Sequence, residues 1–257
     1  LILCAIFFAV YFVLIFMVDA MISYVPDKVD RALAGIFSPY IQTPAEWETD
    51  RQRIEGVLSS MLEDYDGPAY DFRVDILEHD EMNALAFPGG NIVLTSKLVE
   101  SLESENELAM ILGHELSHYS QHDHLRGLGR MIVFMGLMTV WSAGTNSNPL
   151  GQYVVNSIGT FDLKYSRKQE RLADEYGLKF LVNRYQHAGG AVCVFEKLQA
   201  EYAVQEKVPF LQFFSSHPLI GERIRHLNDL IESRGYEVRQ QLPLTFDLPQ
   251  RSELPPS

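Results

Sequence analysis

Cysteine is scarce in this chain: its 257 residues contain two, Cys4 inside an apolar run and Cys193 in a helical pattern. Two thiols so placed supply neither a disulfide framework nor a cysteine-based zinc site, and they leave the redox compartment open. Positive charge is short as well, with 21 Lys and Arg against 34 Asp and Glu, a formal net charge of −13. That balance argues against a nucleic-acid partner and against an electrostatic grip on anionic lipid. No internal repeat occurs, so a stacked helical array is excluded.

Long uncharged runs are confined to the start. Leu1 to Val18 carries no charge, and at about 1.5 Å per residue it covers about 27 Å, nearly a hydrocarbon core. A secretory signal has a shorter apolar core and a small-x-small cleavage site, and the stretch leading to Asp19-Ala20-Met21 has neither. Cys4 is a poor lipid-attachment point, because Leu3 precedes it. The run is therefore read as an uncleaved, single-pass transmembrane helix within an anchor of residues 1–25, with the lipid bilayer as its partner. Downstream, Asp19, Asp27 and Asp30 outnumber Lys28 and Arg31, which under the positive-inside rule favours a body outside the cytoplasm. A second greasy stretch, Met131 to Ala143, is too short to span a bilayer. It reads by default as a core helix, with an interfacial helix or a mobile cover next to the Gly144-to-Pro149 loop as the other readings.

What is present centres on His114-Glu115-Leu116-Ser117-His118. Residues four apart stack on one helix face, so both imidazoles can aim at one metal about 2.0 to 2.1 Å away. Glu115 beside them can take a proton from water at the metal's open position and pass it to a leaving amine. The bland reading is a chance match on an exposed helix. Context favours the metal, because Ser104 and Glu107 form an S-x-x-E cap ahead of an apolar stripe through Leu108, Ile111, Leu112, Leu116 and Tyr119.

Such a site needs a third protein ligand. His124 stands where a metzincin places its last histidine, but Gln121 replaces the helix-breaking glycine and no methionine turn is recognisable; a solvated helix end is the competing reading. The other source is Glu170. Ser166 and Gln169 make another capping box, which puts Glu170 and Asp174 on one face of a new helix, and Gly177 continues that face for close approach. There Glu170 could ligate while Asp174 fixes the tautomer of a ligand histidine. A charged solvent face is the ordinary reading of this segment. Its pairing with the pentad reverses that preference.

Phe72, Val74 and Ile76 alternate with Arg73 and Asp75 as in a half-buried strand, and after the turn Pro88-Gly89-Gly90, Asn91 to Leu94 reads as its partner. An extended peptide could add to the free edge of such a strand, with the glycines leaving room. A plain hairpin is the alternative.

His114 to His118, then Glu170-Arg171-Leu172-Ala173-Asp174, preceded by Asn83 to Ile92 and followed by Ser216-His217-Pro218 and Arg223-Ile224, resembles the gluzincin family of membrane-associated peptidases that includes the CAAX prenyl protease, HtpX and BepA. The likeness covers roughly residues 26 to 232. It implies a zinc metalloendopeptidase, with one Zn2+ per chain held by His114, His118 and Glu170, Glu115 as general base, and Asp174 bracing a ligand histidine. It also implies substrate contacts at Gly90, Asn91, Ile92 and Arg223, the last supporting the oxyanion region or anchoring a loop. His217 would polarise the carbonyl or, as a second choice, occupy the fourth zinc position at rest. The substrates implied are polypeptides, unfolded or damaged envelope proteins, at a bacterial inner membrane with the body facing the periplasm. A multi-pass protease is disfavoured by the single spanning segment. A membrane-tethered chaperone or binding module is the alternative, against which an intact Glu115 argues, and a protease held latent by His217 or the Met131-to-Ala143 cover is a third reading.

The remaining patterns are helical. Thr43, Pro44 and Glu46 announce a helix towards Tyr65, Ala191 to Glu206 another, and Ile220, Ile224, Leu227, Leu230 and Ile231 a last one ending near Gly235. The expected fold is α+β, a mainly helical zincin-type body over residues 26–235 with a small sheet beside the active-site helix. A proline-rich tail, residues 236–257, follows.

Overall fold

The computed structural model describes residues 2–37, 39, 41–141, 165–205 and 220–244. The Gly144-to-Pro149 loop, the Ser216-His217-Pro218 motif and the tail beyond Leu244 lie outside the described residues.

The alternation after Phe72 produces β1 (Arg73–Leu77), with Val74 and Ile76 fully buried. Its expected partner forms as β3 (Asn91–Thr95), but the pairing is parallel, Val74 opposite Ile92. Parallel partners cannot be joined by a tight turn. The hairpin across Pro88-Gly89-Gly90 is instead made by β2 (Ala84–Phe87), antiparallel to β3 with Phe87 opposite Asn91. All four β2 residues are buried, so the strand lacks the alternation by which β1 announces itself.

Sheet order is β1-β3-β2. This corrects the expectation of a free edge at Asn91 to Leu94, since β3 is the central strand and the open edge on the hairpin side belongs to β2. The space beside the two glycines is also taken by the chain itself. A side chain at Gly89 would collide with Ala34, and one at Gly90 would stand 2.8 Å from the Tyr70 Cβ. Both glycines have positive φ, 81° and 89°, the conformation the turn requires.

Nine α-helices occur among the described residues: α1 (Ile2–Met21), α2 (Asp27–Phe37), α3 (Glu48–Met61), α4 (Ser96–Ser101), α5 (Glu105–Ser120), α6 (Asp123–Trp141), α7 (Arg167–Tyr185), α8 (Cys193–Gln205) and α9 (Ile220–Ser233). Thr43 does not cap α3. Its hydroxyl donates to Asp75 and accepts the Ile76 N–H, tying the segment to β1, while a short 3-10 turn begins after Pro44. One core gathers α3, α5, α7 and the sheet around Ile54, Leu58, Ile76, Ile92, Leu112 and Leu178. The start of the tail docks on this body: Glu105 N–H donates to Leu242 O and Leu244 N–H to Glu103 O, both near the start of α5.

α6 extends past the body, and Ile132 and Phe134 are 52% and 40% exposed. Ile132 and Phe134 are therefore not core residues, against the default reading of this stretch, while Met131 packs on a small apolar cluster with Leu128 and Phe87. Among the described residues no helix is long and apolar enough to cross a membrane.

Candidate metal centre

Two capped helices carry the centre. Ser104 caps α5 by accepting the Glu107 N–H at 3.1 Å, and the Glu107 carboxylate accepts the N–H of Glu103 rather than closing the box on Ser104. Ser166 and Gln169 close a full reciprocal box at the start of α7. The helices touch backbone to backbone. A Cβ at Gly177 would lie 2.8 Å from Met110 O, and one at Gly113 would lie 2.9 Å from the Gly177 Cα. Any larger residue at this crossing would push Glu170 away from the histidines.

At the crossing, His114, His118 and Glu170 converge, all buried, as a group that could hold a metal ion. The two Nε2 atoms stand 3.2 Å apart, and the Glu170 oxygens lie 3.8 Å from each. Tetrahedral bonds of about 2.0 to 2.2 Å put donors roughly 3.4 Å apart, so the spacing suits one ion. Each ring is braced on its far nitrogen, His114 Nδ1 by Asp174 at 3.0 Å and His118 Nδ1 by Asp123 at 3.2 Å. Nδ1–H donates to the carboxylate, and the Nε2 lone pair is left pointing into the cluster. Asp123 in turn accepts from Gln169 at 2.5 Å and from Arg126 at 2.9 Å. The Tyr165 ring stacks on His118 at 3.8 Å.

Arg223, on α9, bridges the acids. It donates to both Asp174 oxygens at 2.9 and 2.6 Å, lies 2.7 Å from Glu170 Oε2, and its guanidinium covers the Phe195 ring at 4.5 Å. Burial alone would lower its pKa, but Asp174 and Glu170 outweigh that and hold it charged, above its usual value. Glu115, Asp123, Glu170 and Asp174 are all buried close by. With one buried guanidinium among them, this donor set suits a dication.

The model of peptidase family M48 matches residues 48–231. The chain belongs to this family. It is 26% identical to Metalloprotease LoiP of Escherichia coli over 80% of each chain. It is 24% identical to the bovine mitochondrial Metalloendopeptidase OMA1 over 62% of its own residues, and 25% identical to the Escherichia coli Beta-barrel assembly-enhancing protease over 60%. The chain spans about a third of the length of the last two, 32% and 33%. By class, then, it is a metallopeptidase.

The other residues expected at the M48 site divide. Glu115 is buried and lines a cleft with His114, Arg223, Asn83 and Ala84, whose far wall is apolar, with Phe195 and Leu198. Its empty volume is about 480 Å³ including the open mouth. Gly90, Asn91 and Ile92 are engaged inside the protein instead: Asn91 O accepts from Tyr119, its side chain donates to Pro88 O, and Ile92 is fully buried. His124 stands outside the cluster. It is fully buried, not a solvated helix end, and its Nε2 lies 2.8 Å from Asp30. His217 falls outside the described residues.

Sequence reasoning missed Asp123, Tyr165 and Gly113. For Gly113 a signal existed, a glycine one residue before the pentad in an otherwise strong helix. Asp123 follows His122, which turns the chain with φ 55°. Nothing local announces that reversal.

Proposed function

We propose that this M48 chain is a membrane-anchored, zinc-dependent endopeptidase acting on unfolded or damaged envelope proteins. The observation that carries the reading is the meeting of His114, His118 and Glu170 beside Glu115 in one cleft. In this reading the three residues hold one Zn2+ per chain, and a bound ion supplies Lewis acidity towards a carbonyl oxygen and a lower pKa for water. Glu115 takes the proton from water and returns it to the leaving nitrogen. Asp174 and Asp123 hold the two rings in register, and Arg223 keeps Glu170 and Asp174 ionised and in place. An extended polypeptide runs along the outer edge of β2, held through its backbone with little demand on sequence, while the apolar wall takes one side chain. Substrate contact thus moves from Gly90, Asn91 and Ile92 to the neighbourhood of Asn83 and Ala84. His217, by resemblance to the family, polarises the substrate carbonyl.

The anchor is α1 within residues 1–25, followed by the peptidase body over 26–235 and the tail. Support comes from the uncharged run Leu1 to Val18 in the sequence and from the exposed Phe8, Phe12 and Phe16 on α1. The name of the Beta-barrel assembly-enhancing protease supports envelope substrates. Casein cleavage that is abolished by a chelator and by Glu115→Gln tests the activity. Wild-type holdase activity with no proteolysis would instead favour a binding module. Envelope-protein fragments in cells carrying wild-type and Glu115→Gln forms test the substrate class.

A further inference from the structure

α1 and α6 run antiparallel, with Val18 against Gly129, Asp19 against Arg130, and the rings of Tyr11 and Phe134 6.3 Å apart. The pairing is close at one end. A Cβ on Gly129 would lie 2.7 Å from a Val18 methyl, and Arg130 donates to both Asp19 oxygens at 2.8 and 2.7 Å. Beyond that ion pair neither helix carries a charge, from Val18 back to Ile2 or from Met131 on to Trp141.

Side-chain exposure on α1 follows a pattern. Phe7, Tyr11, Leu14, Ile15 and Val18 form the partly buried stripe towards α6. Large apolar side chains on the other sides are exposed, Phe8, Phe12 and Phe16 among them, over more than half the circumference at about 100° per residue. A protein groove covers one face of a helix, whereas acyl chains cover all of it. Ile132 and Phe134 continue the exposed apolar surface onto α6.

We propose that the outer half of α6, Met131–Trp141, is embedded among lipid acyl chains beside α1, and that this sets the height of the metal cluster above the bilayer. The inference rests on reading α1 as the anchor. Eleven residues of helix reach about 16 Å, half of a hydrocarbon core of about 30 Å. The Asp19–Arg130 pair then marks the polar boundary on both helices. At the other end of α6, Asp123 braces His118. Arg130 lies seven positions after Asp123, about 10 Å along the helix. The cleft therefore stands close to the membrane surface, and the substrates within its reach are polypeptide segments lying at or leaving that surface.

The test places an environment-sensitive fluorophore on Phe12→Cys, Phe134→Cys, Ile132→Cys or the exposed body site Val238→Cys, each in a full-length Cys4→Ala, Cys193→Ser background. The proteins are reconstituted in vesicles of phosphatidylcholine and phosphatidylglycerol containing an acyl-chain nitroxide quencher. Loss of emission at positions 12, 132 and 134 but not at 238 is expected. Quenching at 12 with none at 132 and 134 would overturn the inference and leave the anchor standing. No quenching at any position would remove both. A blue-shifted but unquenched label at 132 and 134 would mean that protein covers α6, and would also overturn it.

Discussion

α5 and α7 approach through Gly113 and Gly177, and α1 and α6 through Gly129, yet the two pairs sort their side chains in opposite senses. Between α5 and α7 the charged groups lie inside: His114, His118, Glu170 and Asp174 are all buried. On α1 and α6 the charges stop at Asp19 and Arg130, and Phe8, Phe12, Phe16, Ile132 and Phe134 face outward. Burying carboxylates is costly unless each is paired, and here every one of the site's ligand or bracing carboxylates meets a histidine, an arginine or both. Exposing phenylalanine to water is costly too, which is what the apolar surroundings proposed for α1 would relieve. Polar groups concentrated inside point to chemistry. Apolar groups concentrated outside point to the solvent the pair is built for.

The largest expected effect separates the two pairs outright. Glu115→Gln should lower kcat/KM on a casein-derived peptide by about 10²- to 10⁴-fold without changing vesicle association or the unfolding temperature. Loss of vesicle association in the same variant would show that the pairs are not independent. Next, Asp174→Asn should weaken metal binding by about 10- to 100-fold, measured by competition with a chromogenic chelator. The neutral amide braces the His114 ring less strongly and leaves Arg223 with one anionic partner instead of two.

The α5 and α7 helices were legible because capping residues and spacing are local: Ser104, Ser166, Gln169 and the four-residue interval from Glu170 to Asp174 need no tertiary information. Gly177 was legible for the same reason. What escaped was non-local or lacked a period. β2 is apolar at every position, so alternation could not reveal it, and with β2 unseen the parallel pairing of β1 and β3 was read as a hairpin. The bridge from Arg223 to Glu170 and Asp174 spans about fifty residues of sequence, too far for any pattern rule. The run after Met131 is uncharged whether it faces a core or acyl chains, so only its exposure in the fold distinguishes them.

Glycine substitutions sharpen the contrast at intermediate size. Gly177→Ala sets a methyl 2.8 Å from Met110 O and 3.2 Å from His114 N, both backbone atoms that cannot swing aside. Overpacking of about 1–3 kcal/mol should outweigh a helix-propensity gain of about 1 kcal/mol. Denaturant unfolding should then show a net loss, accompanied by weaker metal binding. Gly136→Ala on α6, with nothing within 4 Å, should be neutral or stabilising. A comparable loss at both positions would mean that α6 is packed in a way its exposure does not reflect.

The smallest expected effect joins the two regions. Asp30, on α2, which follows α1 in the chain, is fully buried and accepts hydrogen bonds from Tyr70, His124 and the Gly89 N–H. Burial is the largest single influence and pushes its pKa up, but those hydrogen bonds and the charge of His124 together outweigh it, so Asp30 lies below its ordinary 3.8. A carboxylate depressed on folding stabilises the protein fully above its unfolded value, and that contribution disappears as pH falls through the folded value. Asp30→Asn keeps one acceptor and should cost about 1 kcal/mol near neutrality. The gap between wild type and variant in urea unfolding should close as pH drops below about 3.8. A gap that stays constant through that range would mean that Asp30 contributes through shape alone. A gap that widens would reverse the sign assigned to its ionisation.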